Sequence, residues 1–189
     1  MKLIFASHNE NKAKEIRSLL PQHIELLTLS DMQLLEEIPE TADTLEGNAL
    51  LKASYVNDRF GLNCFADDTG LEVHALNGAP GVYSARYAGS SKDPEANIAL
   101  LLKNLANVED RSARFRTSIA LYWNGEQHFF DGIVNGHISK IRSGSDGFGY
   151  DPVFIPENST RTFAEMTLQE KNQQSHRARA LEKMIDFFE

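Results

Sequence analysis

The centre of the chain reads Phe65-Ala66-Asp67-Asp68-Thr69-Gly70, an apolar run that ends in two carboxylates, a hydroxyl and a glycine. The apolar run is typical of a buried strand, and functional groups of α/β proteins gather where strands end. Two carboxylates at such a point supply the hard oxygen ligands that Mg²⁺ prefers. A plain acidic turn explains the same residues, because Asp and Gly are ordinary turn residues. The segment alone leaves both interpretations open.

The segments around this one alternate between strand and helix patterns. Short apolar runs predict strands at residues 3–6, 24–29, 63–66 and 71–76. Apolar residues at helical spacing predict helices at residues 9–20, 44–60, 93–105 and 175–188. Asn124-Gly125 lies between strand-like runs at 114–123 and 126–133, which favours a type I′ hairpin. The pattern predicts an α/β fold with a mixed central β-sheet and flanking helices.

Composition narrows the class of protein. The chain has 189 residues, the length of one large domain, with 27 acidic and 19 basic residues and a net charge of −8. A surface this acidic lacks the positive field that a nucleic-acid polymer binder needs. Cys64 is the only cysteine, which excludes an intrachain disulfide. No segment approaches the roughly 18 apolar residues of a membrane span, so we expect a cytoplasmic protein with no membrane partner.

A candidate phosphate loop, Ser7-His8-Asn9-Glu10-Asn11-Lys12, lies between the first strand and the first helix. Free backbone N–H groups at a helix start favour phosphate oxygens, and Lys12 adds a positive charge. The loop contains no glycine, so it is neither a Walker A loop nor a dinucleotide fingerprint. A polar helix cap with a solvated lysine is the alternative interpretation.

The second helix carries a further set of polar residues. Asn48 and Lys52 are four residues apart and share a helix face, so they can reach one ligand. Glu40 precedes the helix and Glu46 opens it. An amphipathic helix with a lysine whose charged end reaches solvent is the simpler interpretation of each residue taken alone.

Two segments near the C-terminus have the composition of a base-binding site. In residues 144–154, glycines flank Phe148, which leaves its ring able to face a planar base, with Tyr150 as a second wall and Asp151 as an acceptor. A Gly-rich loop held by core aromatics is the alternative. Donors able to bind a carbonyl oxygen or a phosphate follow at Lys171, Ser175, His176 and Arg177.

Together these segments resemble the inosine triphosphate pyrophosphatase family. The resemblance runs nearly end to end and includes residues 7–12, 46–53, 65–71, 78–87, the Phe148 segment and 175–177. It implies hydrolysis of ITP, dITP and XTP to the monophosphate and pyrophosphate, which removes these nucleotides from the pool. It also implies one Mg²⁺ per subunit, a homodimer, and a single elongated two-lobed domain over residues 1–189 with the nucleotide cleft between the lobes.

The resemblance assigns roles to individual residues. It implies that Asp68 is the catalytic carboxylate, activating water or holding Mg²⁺, and that Thr69 contacts substrate. It assigns the phosphate chain to Ser7, His8, Asn9, Glu10, Asn11 and Lys12, with Lys52 nearby. It assigns the base to Phe148, Gly149, Tyr150, Asp151, Lys171, His176 and Arg177. Glu40 is the expected second metal carboxylate, with Glu46 as the alternative, and Asp67 supports the turn or the metal.

Two positions depart from the commonest pattern of the family. The first motif usually reads Thr-Gly-Asn or Thr-Asn-Asn, whereas here Ser7 keeps the hydroxyl and His8 replaces the small residue. Gly47 stands where glutamate is frequent, which is why we expect Glu40 to be the second metal ligand.

Hydrogen-bond polarity predicts the choice of base. Hypoxanthine and xanthine present a 6-oxo acceptor where adenine presents a 6-amino donor, so donors from His176 and Arg177 favour the 6-oxo bases.

Two rival functions fit parts of the pattern. A haloacid-dehalogenase-type phosphatase needs a residue between its two aspartates, whereas Asp67 and Asp68 are adjacent. A non-catalytic purine-nucleotide-sensing module uses the same loops without needing Asp68. Trapping of a phosphorylated aspartate would identify the phosphatase, and turnover of substrate with Mg²⁺ would exclude the sensing module.

Overall fold

A computed structural model describes residues 1–188. The strands of this part are β1 (Lys2–Phe5), β2 (Glu25–Thr28), β3 (Cys64–Val73), β4 (Pro80–Gly81), β5 (Ser112–Trp123), β6 (Glu126–Ile138) and β7 (Phe154–Pro156). Its α-helices are α1 (Glu10–Leu19), α2 (Leu45–Phe60), α3 (Pro94–Asn104), α4 (Leu168–Asn172) and α5 (His176–Asp186). None of the helices within residues 1–188 is both long enough and apolar enough to cross a membrane.

The strands pair in the order β2-β1-β3-β5-β6-β7, and β4 pairs with β3. β1 is parallel to β2 and β3, whereas β4 is antiparallel to β3 and β7 is antiparallel to β6. The predicted mixed sheet with flanking helices is therefore confirmed. The hairpin turn is confirmed too, since Asn124 and Gly125 have φ of 51° and 85°, as a type I′ turn requires.

One predicted boundary is wrong. The sequence predicts a strand that ends before the aspartate pair and a second strand at residues 71–76, whereas β3 runs unbroken through both aspartates. The physical reason is pairing with strands distant in sequence: β5 is the neighbour of β3 on one side, and the partner on the other side changes from β1 to β4. Pairing with β1 ends at Phe5 and Phe65, and beyond Gly70 the strand pairs with β4 at Leu71 and Gly81. The aspartates lie just past the end of β1, inside a longer strand.

The chain divides into two compact units, and three strands pass from one to the other. Unit 1 contains Met1–Asp68, Thr117–Gly132 and the chain from Arg177 onward. One apolar cluster of unit 1 packs Phe65 of β3 with residues of α1 and α5, and another packs Ala66 with residues of α2. The sheet portion of unit 1 is thus covered by helices on both faces.

Local sequence signals explain where the helices of unit 1 begin and end. Asn9 accepts a hydrogen bond from the backbone N–H of Lys12 at the start of α1. Thr44 accepts one from Gly47 at the start of α2, and Gly61 ends that helix with a φ of 63°. Only glycine adopts this left-handed conformation without a steric cost.

Unit 2 contains Thr69–Arg116 and Ile133–His176. Its core cluster joins the second half of β3 with α3, β5, β6 and the segment around Tyr150 and Phe163. Asp93 caps α3 and Pro94 occupies its first turn, as predicted.

Candidate active site

The two aspartates point to opposite faces of β3. Successive side chains alternate across a strand, so Asp67 shares a face with Phe65, and Asp68 shares a face with Ala66. Phe65 packs in the cluster that includes α1 and α5, and Ala66 packs in the cluster that includes α2. We call these the α1/α5 face and the α2 face of unit 1. The adjacent carboxylates therefore have different surroundings.

On the α1/α5 face, Asp67 is fully buried and bound by two cations. Lys12 Nζ donates to its Oδ1 at 2.9 Å, and Arg177 Nε donates to its Oδ2 at 2.9 Å. Arg177 is 1% exposed, and its Nη1 donates to Glu15 of α1. These four side chains carry two positive and two negative formal charges, so the set is electrically balanced.

These cations determine the protonation state of Asp67. Burial acts to raise the pKa of Asp67, but the charges of Lys12 and Arg177 outweigh burial and hold that pKa well below its usual range. Burial acts to lower the pKa of Arg177, and here too the charges of Asp67 and Glu15 win and raise it. Asp67 is an ionised carboxylate with both oxygens in ion pairs, which fits a structural role.

On the α2 face, Asp68 contacts an amide and an ammonium from α2. Asn48 Nδ2 donates to Asp68 Oδ2 at 3.1 Å, and Lys52 Nζ lies 3.7 Å from Asp68 Oδ1. The same Lys52 Nζ donates to Glu40 Oε1 at 2.6 Å. Two carboxylates thus share one cation. The set of Asp68, Glu40 and Lys52 has a formal charge of −1, unlike the balanced set around Asp67.

The pKa of Asp68 moves in the opposite direction to that of its neighbour. Burial raises the pKa of Asp68, and the attraction of Lys52 and Lys12 only partly offsets it. Burial acts to lower the pKa of Lys52, but Asp68 and Glu40 raise it above its usual value, so the ammonium stays charged. Asp68 is 8% exposed, against 0% for Asp67. A partly accessible carboxylate with a raised pKa is a better base than an ordinary aspartate.

The α2-face carboxylates have the chemistry of a magnesium site. Within residues 1–188, no group of three or more His, Cys, Asp or Glu side chains is arranged to hold a metal ion. Mg²⁺ does not require one, because it commonly takes one or two carboxylates and completes its shell with water and substrate phosphates. Asp68 and Glu40 both contact the Lys52 ammonium, so their oxygens already converge on a positive charge. The donor set fits Mg²⁺.

The backbone around Gly47 explains why a side chain is absent there. A Cβ added at Gly47 would lie 2.6 Å from the Cβ of Ala42 and 3.0 Å from Thr44 Oγ1. Ala42 is held in place because its N–H donates to Asn48 Oδ1 at 3.0 Å. A glutamate at position 47 does not fit this backbone. Glu46 lies beside it, half-buried in the first turn of α2.

The predicted phosphate loop lies between β1 and α1 in unit 1. Ser7 Oγ accepts from the N–H of Asn9 at 3.2 Å, and Asn9 Oδ1 accepts from the N–H of Lys12 at 3.1 Å. The Lys12 side chain is 13% exposed, and burial lowers its pKa despite the attraction of Asp67. The other three loop residues, His8, Glu10 and Asn11, are exposed. The loop, Lys52, Glu40 and Asp68 all belong to unit 1.

Unit 2 contains the predicted base-binding residues, arranged around Lys171. Its Nζ donates to Asp151 Oδ2 at 2.6 Å and lies 4.9 Å from the centre of the Phe148 ring. The same Asp151 oxygen accepts from the N–H of Phe148 at 2.9 Å. Gly147 has a φ of +73°, and a Cβ there would lie 2.1 Å from that oxygen. The glycine lets the loop close on the carboxylate, while Phe148 stays half-buried.

The remaining residues predicted to contact the base differ in burial and in their contacts. His176 is buried and stacks on Phe115, with ring centres 4.6 Å apart and planes at 20°. Tyr150 lies in the core of unit 2, where its hydroxyl donates to the Ser84 carbonyl oxygen at 2.8 Å. This position matches the alternative of a loop held by core aromatics. The other predicted residues of unit 2 are Thr69, half-buried after Asp68, and Gly149, half-buried after Phe148.

Arg177 has partners that its motif did not indicate. The sequence predicts a base contact, whereas its Nε and Nη1 donate to Asp67 and Glu15 in unit 1. Glu15 itself was missed, although a signal exists. It lies three residues after Lys12, on the face of α1 that carries Ile16, where a carboxylate requires a buried partner. No chemical signal distinguishes Phe115 from an ordinary core residue.

The comparisons with known proteins identify the family of the chain. A profile of the Ham1 family matches residues 3–187. A dITP/XTP pyrophosphatase of Flavobacterium johnsoniae is 55% identical over 186 residues, covering 98% of this chain and 97% of that protein. One of Christiangramia forsetii is 55% identical over 187 residues, covering 99% and 98%. The solved structure of a HAM1 protein from Coxiella burnetii has a TM-score of 0.90 and 38% identity, and covers 100% of this chain and 98% of that one. The resemblance inferred from the motifs is confirmed, and the chain belongs to the Ham1 family.

Proposed function

We propose that this chain hydrolyses the non-standard purine nucleoside triphosphates ITP, dITP and XTP to the monophosphate and pyrophosphate. The observation that carries the proposal is Asp68, a partly accessible carboxylate of raised pKa that shares Lys52 with Glu40. Relatives that are 55% identical over nearly the whole chain bear the name dITP/XTP pyrophosphatase, which supports the substrate class. The reaction removes these nucleotides from the pool available for nucleic-acid synthesis.

The proposed chemistry needs a water molecule, a base and neutralisation of the phosphates. Asp68 accepts a proton from the water, whose oxygen attacks phosphorus, and the anhydride bond between the α- and β-phosphates breaks. Lys52 and Lys12 offset the negative charge of the phosphate chain. Backbone N–H groups at the start of α1 bind phosphate oxygens, with the hydroxyl of Ser7 as a further donor. Asp67 holds Lys12 and Arg177 in place.

Mg²⁺ is the proposed cofactor, with Asp68 and Glu40 as its protein ligands. When bound, the ion neutralises phosphate oxygens and helps to orient the triphosphate. The net negative charge of Asp68, Glu40 and Lys52 supports a divalent cation at this point. Glu40 is favoured over Glu46 because Glu40 contacts the same ammonium as Asp68.

Recognition of the base is proposed for unit 2. Phe148 offers a half-buried ring for stacking, and the buried Lys171 and His176 offer donors for a 6-oxo group. An adenine amino group would leave those donors unpaired, at a cost of roughly 1–3 kcal/mol each. Arg177 remains a proposed base contact, and its Nε and Nη1 donate to Asp67 and Glu15, which adds support of Asp67 to its proposed role.

Release of pyrophosphate tests the proposal. The protein with Mg²⁺ is incubated with ITP, dITP, XTP, GTP and ATP, and pyrophosphate and orthophosphate are measured separately. We expect pyrophosphate from ITP, dITP and XTP, with a preference over ATP of about a hundredfold if two donors are left unpaired. Orthophosphate together with a phosphorylated aspartate supports the phosphatase alternative. Nucleotide binding without turnover supports the sensing module.

Assembly and location complete the proposal. We propose a homodimer, as the resemblance to the family implies, and a cytoplasmic location, which suits a chain with Cys64 as its only cysteine. Light scattering on the purified protein measures the mass of the assembly, and a mass of one chain contradicts the dimer.

A further inference from the structure

A hydrogen bond joins the phosphate loop to the connection between β2 and α2. His8 Nε2 lies 2.9 Å from the backbone carbonyl oxygen of Glu36, 28 residues further along unit 1. A carbonyl oxygen only accepts, so Nε2 carries the hydrogen and donates it. The neutral tautomer with hydrogen on Nε2 and the doubly protonated ring both satisfy this bond. His8 occupies the position where the family commonly has Gly or Asn.

Glu36 is itself fixed to α2 by its side chain. Its Oε2 accepts from the hydroxyl of Tyr55 at 2.5 Å and from Arg59 Nη1 at 3.1 Å. The Tyr55 hydrogen bond and the Arg59 charge lower the pKa of Glu36, so the carboxylate is ionised at neutral pH. The carbonyl oxygen that His8 contacts therefore belongs to a residue anchored on α2.

The segment that follows Glu36 has no regular secondary structure and includes Glu40. After the turn at residues 29–34, residues 37–42 form neither helix nor strand. Within this stretch Glu40 contacts Lys52, and the N–H of Ala42 donates to Asn48. Both of these contacts are to α2. The His8–Glu36 bond instead joins the start of this stretch to the phosphate loop.

We propose that His8 is a positioning residue for substrate binding: through Glu36 it fixes the phosphate loop relative to the segment that includes Glu40. The inference rests on the proposed function, since it supposes that residues 7–12 bind phosphates and that Glu40 binds the metal. Fixing both elements before the substrate arrives lowers the ordering cost of binding. His8 contacts Glu36, Glu36 also contacts Tyr55 and Arg59, and these bonds do not include Asp68, so we expect the effect to fall mainly on affinity and little on the chemical step.

Steady-state kinetics with Mg²⁺ and dITP test the role. For His8→Ala we expect the KM to rise about three- to tenfold, the size of one ordinary hydrogen bond, with kcat within about twofold of wild type. His8→Gln should recover most of the affinity, because its carboxamide N–H also donates to a carbonyl. His23→Ala, a change at another exposed histidine of unit 1, is the matched control. An unchanged KM in His8→Ala, a fall confined to kcat, or a His8→Gln variant as poor as His8→Ala overturns the proposal.

Hydrogen exchange measured without nucleotide tests the same bond independently of turnover. In His8→Ala we expect faster amide exchange in peptides covering residues 36–42 and 7–12, and no change in peptides from α3 in unit 2. Exchange identical to wild type in both peptides overturns the proposal even when the kinetics change. If the wild type releases no pyrophosphate from any nucleotide, the proposed function fails, while the exchange result still decides whether His8 fixes the segment.

Discussion

The two faces of β3 in unit 1 treat adjacent aspartates in opposite ways. On the α1/α5 face, Asp67 is fully buried between Lys12 and Arg177, and its pKa is held well below the usual range. On the α2 face, Asp68 is partly accessible, shares Lys52 with Glu40, and has a raised pKa. The strand alternation alone separates them. One dipeptide thus provides a structural carboxylate and a candidate catalytic one.

The comparison indicates that a carboxylate in a charge-balanced set suits a structural role, whereas a carboxylate in an unbalanced set suits a reactive role. The α1/α5 set of Lys12, Asp67, Arg177 and Glu15 has two positive and two negative formal charges. The α2 set of Asp68, Glu40 and Lys52 has one surplus negative formal charge, which suits the proposed Mg²⁺. Breaking a balanced buried set should reduce stability, whereas changing the unbalanced set should reduce activity.

The largest effect is expected from Asp68→Asn. Loss of the proposed base and metal ligand should lower kcat for pyrophosphate release from dITP by about 10²–10⁴-fold, the range for removal of a general base. Stability should change little, because asparagine has the same shape and Asp68 is not part of the balanced set. Initial rates and thermal unfolding of the same preparation measure both quantities. Near-normal turnover would remove Asp68 from the catalytic role.

The second prediction concerns Asp67, where we expect a loss of stability in place of the loss of turnover expected at Asp68. Asp67→Asn leaves Arg177 and Lys12 without their shared anion, so the free energy of unfolding should fall by about 3 kcal/mol. Urea unfolding at pH 7 measures the loss, with Asp68→Asn as the matched control. A smaller loss of stability in Asp67→Asn than in Asp68→Asn contradicts the division between the two faces.

The pKa of Asp67 determines how the difference in stability between wild type and Asp67→Asn depends on pH. That pKa is lower in the folded chain than in the unfolded chain, so the stabilisation is fully present above the unfolded value of about 3.9. It is lost as the pH falls from there through the folded pKa. The gap in stability between wild type and Asp67→Asn should therefore be constant from pH 6 to 8 and shrink below about pH 4.

Much of this architecture could be predicted from the sequence, because its signals are local. Asn9, Thr44 and Asp93 mark helix starts by capping, and Asn124-Gly125 marks the hairpin. Helical spacing correctly placed Asn48 and Lys52 on one face of α2, where both contact Asp68. The motifs also indicated the family, which the comparisons confirm.

The rest depends on contacts between residues far apart in sequence. The end of β3 was predicted too early because residues 67–70 have turn-like composition, and local sequence does not show that β3 pairs with β5 and, further on, with β4. Arg177 lies 110 positions from Asp67, so no local pattern shows that the two form an ion pair. The opposite pKa directions of Asp67 and Asp68 follow from such distant partners, and adjacent identical residues cannot reveal them.

A smaller effect is expected from Glu15→Gln on the α1/α5 face. The change removes one of the two anions that hold Arg177, while Asp67 still pairs with it. The change weakens a buried charge-assisted hydrogen bond. The free energy of unfolding should therefore fall by about 1–3 kcal/mol, a smaller loss than in Asp67→Asn. Urea unfolding of both variants and of the double variant gives the coupling between them. Strictly additive losses would show that the two carboxylates do not act through Arg177.

The last prediction concerns the packing of Cys64, which shares the α2 face with Asp68 and lies about 13 Å before it on β3. Its thiol is fully buried and donates to the Ala53 carbonyl oxygen at 3.3 Å, and burial raises its pKa to about 12. At pH 8 the native thiol should react with a disulfide reagent at least about a thousandfold more slowly than an ordinary cysteine of pKa about 8.5. The reaction of the urea-unfolded chain supplies the reference rate. Rapid labelling of the native protein would mean that the whole α2 face opens to solvent, and the accessibility of Asp68 would then reflect loose packing of α2. Slow labelling confines the opening to the end of the face where Asp68, Glu40 and Lys52 meet.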